Sequence, residues 1–295
     1  MLHVMQGLVV ALATIFSDDE SPDYRATAQL ARDLADAGVD GFLVAGTTGE
    51  VALLEVEERK RLAEAVIGAV GARVPVMVQV GTAREAASRE LSRHAAGCGA
   101  AALCLLTPYY YRYPAEVLLS SMIRVIQDVA GIPWYLYNIP QRTTNDLTPE
   151  MFRVIQEACP QVVGLKNTQT DVDRVAAYTG VADIDFFIGA DSLILLTALM
   201  GGKGFISGPA NAVPEPYVRF RRAWSAENWP EAMKAQQAIN LLQELVGDAS
   251  DISLVKAAIA ARGRASAVCR KPWPTRTSEI PRMRRWLTEH PDVVR

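Results

Sequence analysis

Short apolar runs alternate with helical patterns along most of this chain, at a repeat of about 30 residues. An apolar run rich in β-branched residues is typical of a buried parallel strand, and the amphipathic pattern after it is typical of a helix that covers the sheet. Eight such strands are predicted, at residues 7–14, 40–45, 74–80, 101–106, 132–137, 162–166, 184–188 and 204–207. Eight strands, each followed by a helix, predict an α/β protein with the (β/α)8 TIM-barrel fold.

The alternation stops near Trp224, and no further strand is predicted after it. Residues 229–246, 252–262 and 278–290 have the pattern of three helices, and Pro272-Trp273-Pro274 forms a rigid link between two of them. We therefore predict two domains, a catalytic TIM barrel at residues 1–226 and a C-terminal helical region at residues 227–295. This appendage is expected to cover the barrel or join protomers, and nothing in its sequence indicates catalysis.

Local punctuation gives the expected ends of the first helices. Ser21 is predicted to cap the first helix, with Pro22 in its first turn and Gly38 at its end. Thr148, followed by Pro149, is predicted to begin a later helix.

Composition excludes several classes of partner. With 50% hydrophobic residues and a net charge of −3, the chain has a large core but no basic field for nucleic acid or an anionic membrane. No apolar stretch is long enough to span a bilayer, and the apolar segment at residues 7–16 lacks the preceding Lys or Arg of a signal peptide. The four cysteines form no CxxC motif, so neither a disulfide framework nor a zinc site is indicated. A cytoplasmic location fits best.

The sixth predicted strand ends at Lys166, directly after the apolar run Val162-Val163-Gly164-Leu165. Water-poor surroundings lower the pKa of an amine, and the neutral amine is the nucleophile that attacks a carbonyl to form a Schiff base. The alternative is a lysine that reaches solvent from the end of its strand. The residues at the ends of the other strands decide between the two.

In a barrel of this kind the active site forms at the carboxyl ends of the strands. The second strand ends in Gly46-Thr47-Thr48-Gly49-Glu50, where glycines on both sides allow a tight turn. The two hydroxyls and nearby amides at a helix start would suit a carboxylate. The alternative is a capped turn in which Thr48 only satisfies the backbone.

Two further strand ends carry tyrosines. Tyr109-Tyr110-Tyr111 follows the fourth strand, and Tyr137 ends the fifth, with Arg142 a few residues later. Tyrosine clusters often serve packing or an interface, but these lie at the end of the barrel where the lysine and threonines also lie. Together they offer an amine, phenols for proton transfer, hydroxyls for a carboxylate, and a guanidinium for a second anion.

These four motifs, in this order and spacing, resemble those of the dihydrodipicolinate synthase and N-acetylneuraminate lyase family, the Schiff-base-forming class I pyruvate aldolases. The resemblance covers essentially the whole chain. It implies that Lys166 forms a Schiff base with the keto carbon of pyruvate and that Tyr137 moves protons. It also implies that Thr47 and Tyr110 complete the proton relay, with Tyr110 supplied across a dimer interface, and that the enzyme is a homotetramer, a dimer of dimers.

The resemblance extends to substrate binding. It implies that Thr48 and neighbouring amides hold the pyruvate carboxylate, and that the backbone of Gly189 and Ile206 lines the pocket. Arg142 matches the arginine that binds the carboxylate of aspartate semialdehyde in synthases. No cofactor is implied.

Departures from the synthase pattern leave the second substrate open. Asn167 and Thr168 follow the lysine, Tyr111-Arg112 follow the paired tyrosines, and Thr144 stands where synthases have glycine. The tyrosine run and Asp191-Ser192-Leu193-Ile194 are more similar to 2-keto-3-deoxy sugar acid aldolases. We predict a synthase-like condensation of pyruvate with a carboxylate-bearing aldehyde, with cleavage of a 2-keto-3-deoxy sugar acid as the alternative.

Three other interpretations are set aside. A metal-dependent aldolase needs clustered His or carboxylate ligands, yet none of the three histidines follows a predicted strand, so no metal site is predicted. Gly201-Gly202-Lys203-Gly204 suggests phosphate binding, but it precedes the eighth strand and belongs to the opposite end of the barrel. A non-catalytic scaffold or metabolite binder is disfavoured because the lysine, tyrosine and threonine positions are intact.

Overall fold

A computed structural model describes residues 4–181, 184–247 and 250–294, and it confirms the predicted barrel. The eight parallel strands pair in sequence order, and β8 pairs with β1 to close the sheet. The strands are β1 (Gly7–Ala11), β2 (Gly41–Val44), β3 (Val76–Gln79), β4 (Ala102–Leu106), β5 (Trp134–Asn138), β6 (Val162–Asn167), β7 (Asp185–Ile188) and β8 (Gly204–Ser207).

The first strand is shorter than predicted, ending at Ala11 rather than at residue 14. The strand ends there because backbone amides that follow it donate to side chains instead of to a neighbouring strand. Ala13 donates its amide to the Asn211 side chain at 3.0 Å, and Ile15 donates to the Thr27 hydroxyl at 3.0 Å. An apolar run therefore continues into the core after the strand has ended.

Helices alternate with the strands and cover the outside of the barrel. They are α1 (Tyr24–Ala37), α2 (Val56–Val70), α3 (Glu85–Gly97), α4 (Ala115–Gln127), the single turn α5 (Pro140–Thr143), α6 (Pro149–Ala158), α7 (Val172–Thr179), α8 (Ile194–Leu199) and α9 (Glu215–Ser225). Short 3-10 turns lie at Val51–Leu53, Asp191–Leu193, Pro209–Asn211 and Thr277–Glu279.

The predicted start of α1 is wrong by two residues. Asp23 is the cap, and its carboxylate accepts from the Ala26 amide at 2.8 Å. Pro22 pairs with Phe16 in an isolated bridge, which holds Ser21 and Pro22 outside the helix. The predicted helix end at Gly38, which has a φ of 95°, and the predicted cap at Thr148 are both confirmed.

The barrel interior is filled by side chains rather than open. Apolar residues of successive strands pack there, among them Val9, Leu43, Met77, Phe187 and Ile206. Low in the barrel, the Tyr135 hydroxyl donates to the Asp185 carboxylate at 3.0 Å. The residues at the carboxyl ends of the strands pack on this filled interior.

After the barrel come α10 (Trp229–Val246), α11 (Ile252–Ala261), α12 (Ile280–Glu289) and the short α13 (Pro291–Val294). The three helices predicted here are present, and α13 adds one more turn. α10 packs on α9, and the Gln236 amide donates to the Asp191 carbonyl at 2.9 Å. Within the described ranges, no helix has both the length and the apolar character needed to cross a bilayer. The domain division at residue 226 stays a prediction.

Candidate active site

Lys166 and Tyr137 lie side by side on neighbouring strands. The parallel register pairs Tyr137 of β5 with Lys166 of β6, so both side chains point into the carboxyl end of the barrel. Lys166 Nζ lies 4.3 Å from the centroid of the Tyr137 ring. Only 5% of Lys166 and 1% of Tyr137 are exposed. Lys166 is therefore enclosed in the barrel and does not extend into bulk solvent.

The turn at residues 46–50, here called the threonine loop, brings a hydroxyl to this pair. Thr47 Oγ1 and Tyr137 Oη are 3.2 Å apart, at hydrogen-bond distance. The predicted role of the flanking glycines needs correction, because the left-handed residues are Ala45 (φ 54°) and Glu50 (φ 58°). Gly49 instead lets the loop approach the backbone of Leu12 closely, because a Cβ there would lie 3.1 Å from the Leu12 carbonyl oxygen.

The start of a regular helix is not at the threonine loop. The turn leads into Val51–Leu53, a three-residue 3-10 turn, and α2 begins only at Val56. The Thr48 side chain lies against the backbone after β8, since a Cβ on Gly208 would be 2.7 Å from Thr48 Oγ1. A carboxylate here would meet hydroxyls and loop amides rather than a helix dipole.

Gly189 leaves room for the lysine. A Cβ at this position would lie 2.8 Å from Lys166 Cε and 2.5 Å from Thr168 Cγ2, and both approaches are too close for real atoms. Ile206 of β8 is buried in the same interior cluster as Tyr137. Gly189 thus borders the lysine side chain, and the predicted pocket role of Ile206 stays a prediction.

Tyr110 is not brought to this group within the chain. It is 79% exposed, has a strained φ of 84°, and its ring meets the Tyr111 ring edge-on at 4.9 Å. Among the residues that the structure describes, no hydrogen bond or ring contact joins it to Thr47, Tyr137 or Lys166. Its neighbour Tyr109, by contrast, lines a pocket that this chain forms beside Thr47.

A pocket of about 210 Å³ opens beside Thr47 and Tyr109. Arg142, on the single turn α5, lines it, and one terminal nitrogen of its guanidinium donates to the Ser250 carbonyl at 2.7 Å. Thr144 ends this turn in the left-handed conformation, with a φ of 64°, which favours glycine. Residue 144 therefore has a conformation that favours glycine although it is a threonine.

The C-terminal region supplies part of the pocket wall. Trp273 and Ile252 both line the cavity that Arg142 and Thr47 share. Sequence reasoning missed Trp273, because a tryptophan between two prolines indicates rigidity but not which surface the ring will meet. This contact is consistent with the prediction that the region covers the barrel.

Asp191 is a buried carboxyl in the 3-10 turn after β7. It accepts hydrogen bonds from the Ser207 hydroxyl at 2.8 Å and the Tyr217 hydroxyl at 2.6 Å. Burial raises the pKa of this carboxyl to about 6, against the opposing effect of those bonds and of the Lys166 charge. Burial also raises the pKa of the Cys104 thiol to about 12, so Cys104 remains protonated inside the barrel.

A second buried lysine also reaches this end of the barrel. Lys256 of α11 donates to the Glu50 carboxylate and to the Val268 carbonyl, and both charged side chains are fully enclosed. Burial lowers the pKa of Lys256, while the Glu50 charge acts in the opposite direction. The two residues are 206 positions apart, and no sequence pattern links them.

The closed (β/α)8 barrel thus holds an enclosed lysine and an adjacent phenol at the carboxyl ends of its strands, where the active sites of such barrels lie. The chain belongs to the Dihydrodipicolinate synthetase family, whose sequence profile matches residues 4–289. The predicted family and the predicted enzyme class, a lyase, are confirmed by this match.

The similar proteins carry two different names. The chain is 32% identical over 267 residues to Escherichia coli (strain K12) YagE, provisionally named a 2-dehydro-3-deoxy-D-gluconate aldolase, covering 88% of this chain and 87% of that one. It is 30% identical over 274 residues to the 4-hydroxy-tetrahydrodipicolinate synthase of Brucella suis biovar 1 (strain 1330), covering 92% and 93%. A crystal structure of YagE in complex with pyruvate superposes with a TM-score of 0.92, at 29% identity over 97% of this chain and 98% of that one.

Proposed function

We propose that this protein is a class I aldolase that joins pyruvate to an aldehyde, or releases it, through an imine on Lys166. The observation that carries the proposal is the enclosed Lys166 amine beside the Tyr137 phenol, whose oxygen lies at hydrogen-bond distance from Thr47. The similarity to YagE, which was crystallised with pyruvate, supports the choice of keto acid.

The chemistry follows from this arrangement. The Lys166 nitrogen attacks the keto carbon of pyruvate, and a proton passed through Tyr137 allows the former keto oxygen to leave as water, giving an imine. Loss of a proton from the methyl carbon gives an enamine, whose carbon attacks the aldehyde carbon to form the new C–C bond. Water then hydrolyses the imine and frees the lysine. The reverse sequence cleaves the same bond.

The remaining roles are assigned by position. Thr47 relays the proton of Tyr137, and Thr48 with neighbouring loop amides holds the pyruvate carboxylate. Tyr110 extends the relay into a neighbouring protomer, which is consistent with its exposed ring and strained backbone. This requires a dimer at least, and a homotetramer is the assembly we propose.

Arg142 decides the second substrate in this proposal. Its guanidinium lines the pocket beside Thr47, and a planar, permanently charged fork suits a carboxylate. We therefore favour a carboxylate-bearing aldehyde such as aspartate semialdehyde, the substrate of a 4-hydroxy-tetrahydrodipicolinate synthase.

Cleavage of a 2-keto-3-deoxy sugar acid is the second candidate, and Thr168 favours it. Thr168 lies against Gly189 beside the lysine and donates its hydroxyl to the Asn138 carbonyl at 3.2 Å. A hydroxyl that can both donate and accept there suits a polyol chain better than a carboxylate.

Borohydride reduction in the presence of pyruvate tests the covalent step. Peptide mapping should locate the reduced adduct on Lys166, and Lys166→Ala should gain no adduct. Lys203→Met, which replaces an exposed lysine just before β8 at the opposite end of the barrel, is the control and should still be labelled at Lys166. An adduct on another lysine would overturn the assignment, and no adduct at all would favour a non-catalytic relative.

A side-by-side assay with two substrate sets tests the choice of aldehyde. One set is pyruvate with aspartate semialdehyde, and the other is 2-keto-3-deoxygluconate alone. Arg142→Ala should raise the KM for the semialdehyde at least tenfold, because a charge-assisted bond is worth about 1.5–3 kcal/mol. Arg142→Lys, which keeps the charge, should lose less. Turnover of the sugar acid alone, unchanged in Arg142→Ala, would make the aldolase the better assignment.

A further inference from the structure

We infer that the buried Glu50–Lys256 ion pair positions the threonine loop for catalysis, so that the C-terminal region sets the geometry of the barrel's active site. The inference rests on the proposed function, in which Thr47 takes part in proton transfer and Thr48 binds the pyruvate carboxylate. Glu50 and Lys256 are positioning residues here and need not touch the substrate.

The pair is fully enclosed and fully bonded. Both side chains have 0% exposure, and the Lys256 nitrogen also donates to the Val268 carbonyl at 2.7 Å. That nitrogen lies 4.2 Å from the centroid of the Phe16 ring, which adds a cation–π contact. The second Glu50 oxygen accepts from the Arg270 amide at 2.9 Å. Each carboxylate oxygen therefore has its own donor, and both donors come from the C-terminal region.

Glu50 transmits this anchoring to Thr47 through a single turn. The Glu50 amide donates to the Thr47 carbonyl at 3.0 Å, which closes the turn that contains both threonines. Glu50 itself adopts a left-handed φ of 58°, which a non-glycine residue keeps only when its surroundings impose it. The two bonds to the carboxylate from the C-terminal region supply that constraint.

The opposite side of the loop is fixed by the barrel. The Thr14 hydroxyl donates to the Gly49 carbonyl at 2.8 Å, and Gly49 is pressed against the backbone of residue 12. The loop is thus held between the segment that follows β1 and the C-terminal region. This double restraint leaves Thr47 Oγ1 at 3.2 Å from Tyr137 Oη.

An ion pair suits this task better than an apolar contact would. An apolar pair of the same volume fills the space, but it does not fix the rotation of the side chain about its axis. A carboxylate held by two separate donors has a defined plane, so the backbone to which it is attached has a defined position. Displacement of a reacting group by about 1 Å can lower turnover roughly 100-fold.

The test uses Glu50→Gln and the double variant Glu50→Leu/Lys256→Met in the full-length enzyme. Glu50→Gln keeps the size and one acceptor oxygen, and the double variant removes both charges together so that no buried charge is left unpaired. Both are expected to form the pyruvate imine on Lys166 under borohydride. We expect kcat to fall about 10- to 100-fold and the KM for pyruvate to rise.

Glu215→Gln is the matched control. Glu215 pairs with Arg262 between α9 and α11, away from the threonine loop, so its kinetic constants should stay at wild-type values while thermal stability falls. Wild-type kcat and pyruvate KM in a folded Glu50→Gln or double variant would overturn the inference. If both fail to fold, Glu50→Asp, which keeps the charge but shortens the side chain by one methylene, should reproduce the rise in pyruvate KM; unchanged constants there would also overturn it. Failure of the wild-type enzyme to trap pyruvate would instead overturn the proposed function.

Discussion

The two ends of the barrel differ in which residues adopt left-handed backbone conformations. Where the chain enters the strands, the positive-φ residues are glycines: Gly7, the first residue of β1, and Gly38, Gly99, Gly131 and Gly201 in turns before later strands. In the loops that follow strands they are not: Glu20, Ala45, Glu50, Tyr110 and Thr144 all have φ between 54° and 84°. Among the described residues, Glu227, between α9 and α10, is the one other non-glycine residue with a positive φ.

This difference separates stability from chemistry. A glycine that ends a helix reverses the chain at little conformational cost, which is all that the amino end of the barrel requires. At the carboxyl end the positive-φ residues carry side chains, and such strain persists where the surroundings impose it. Glu50, held by Lys256, is the clearest case.

The largest predicted effect concerns chemistry at the carboxyl end. Tyr137→Phe keeps the buried ring but removes the transferable proton, so kcat should fall by about 10²–10⁴ with little change in Tm. Tyr135→Phe is the matched control on the same strand, deeper in the barrel. It removes a hydrogen bond to Asp185, so it should lower Tm and leave kcat within about twofold. Equal turnover in the two variants would contradict a catalytic role for the Tyr137 hydroxyl.

Next in size is the pH dependence that Asp191 confers. Its pKa in the folded protein is about 6, above the ordinary value of 3.8, so the folded state holds this proton more tightly than the unfolded state. The stabilisation is full below pH 3.8 and is lost as pH rises through about 6, for a total of about 3 kcal/mol. Asp191→Asn should lack this decline, so the Tm difference between variant and wild type should shift in favour of the variant from pH 4 to pH 7. Parallel Tm curves would contradict the assignment.

The Trp273 wall should have a more modest effect. Trp273→Ala removes apolar surface from the pocket that Arg142 lines, so the KM for the second substrate should rise roughly 10-fold while pyruvate trapping is unaffected. Trp229→Ala, at the start of α10, serves as a control for loss of a tryptophan outside this pocket. A rise in pyruvate KM alone would mean that Trp273 acts through the threonine loop rather than as a wall.

The smallest effects are expected for substitutions in the two kinds of turn, one before a strand at Gly38 and one after a strand at Thr144. Gly38→Ala places a Cβ 3.8 Å from its nearest neighbour, so only the backbone conformation is penalised, by about 1–2 kcal/mol, with kcat unchanged. Thr144→Gly relieves a strained φ and should raise the free energy of unfolding by up to about 1 kcal/mol. It should also raise the KM for the second substrate, because Arg142 loses a rigid anchor. Denaturant titration and steady-state kinetics measure both.

The sequence predicted the features that are local or periodic. Strand and helix patterns repeat along the chain, so the barrel followed from them, and Lys166 stood out because a charge ended an apolar run. The cap of α1 was assigned to Ser21 instead of Asp23, since both residues have suitable oxygens and only the pairing of Phe16 with Pro22 selects between them. The identities of Ser21 and Asp23 alone do not show which of them caps the helix.

The missed residues all depend on contacts between distant segments. Lys256 resembles any lysine on a helix until α11 packs against the threonine loop, and Trp273 resembles a linker residue until the chain returns over the pocket. Tyr109 and Tyr110 are adjacent and chemically identical, yet the positive φ at Tyr110 turns one ring outward. Periodicity carries no information about such contacts.

Gly189 limits how the enzyme can be re-engineered for new aldehydes. Any side chain there would press on Lys166 Cε, the carbon that carries the reactive nitrogen, so residue 189 is a poor choice for a mutant library. Under the proposed function, the positions to vary are residues that line the pocket beside Thr47 instead: Tyr109, Arg142 and Trp273. Variation confined to these three would alter which electrophile is accepted while leaving the imine chemistry intact.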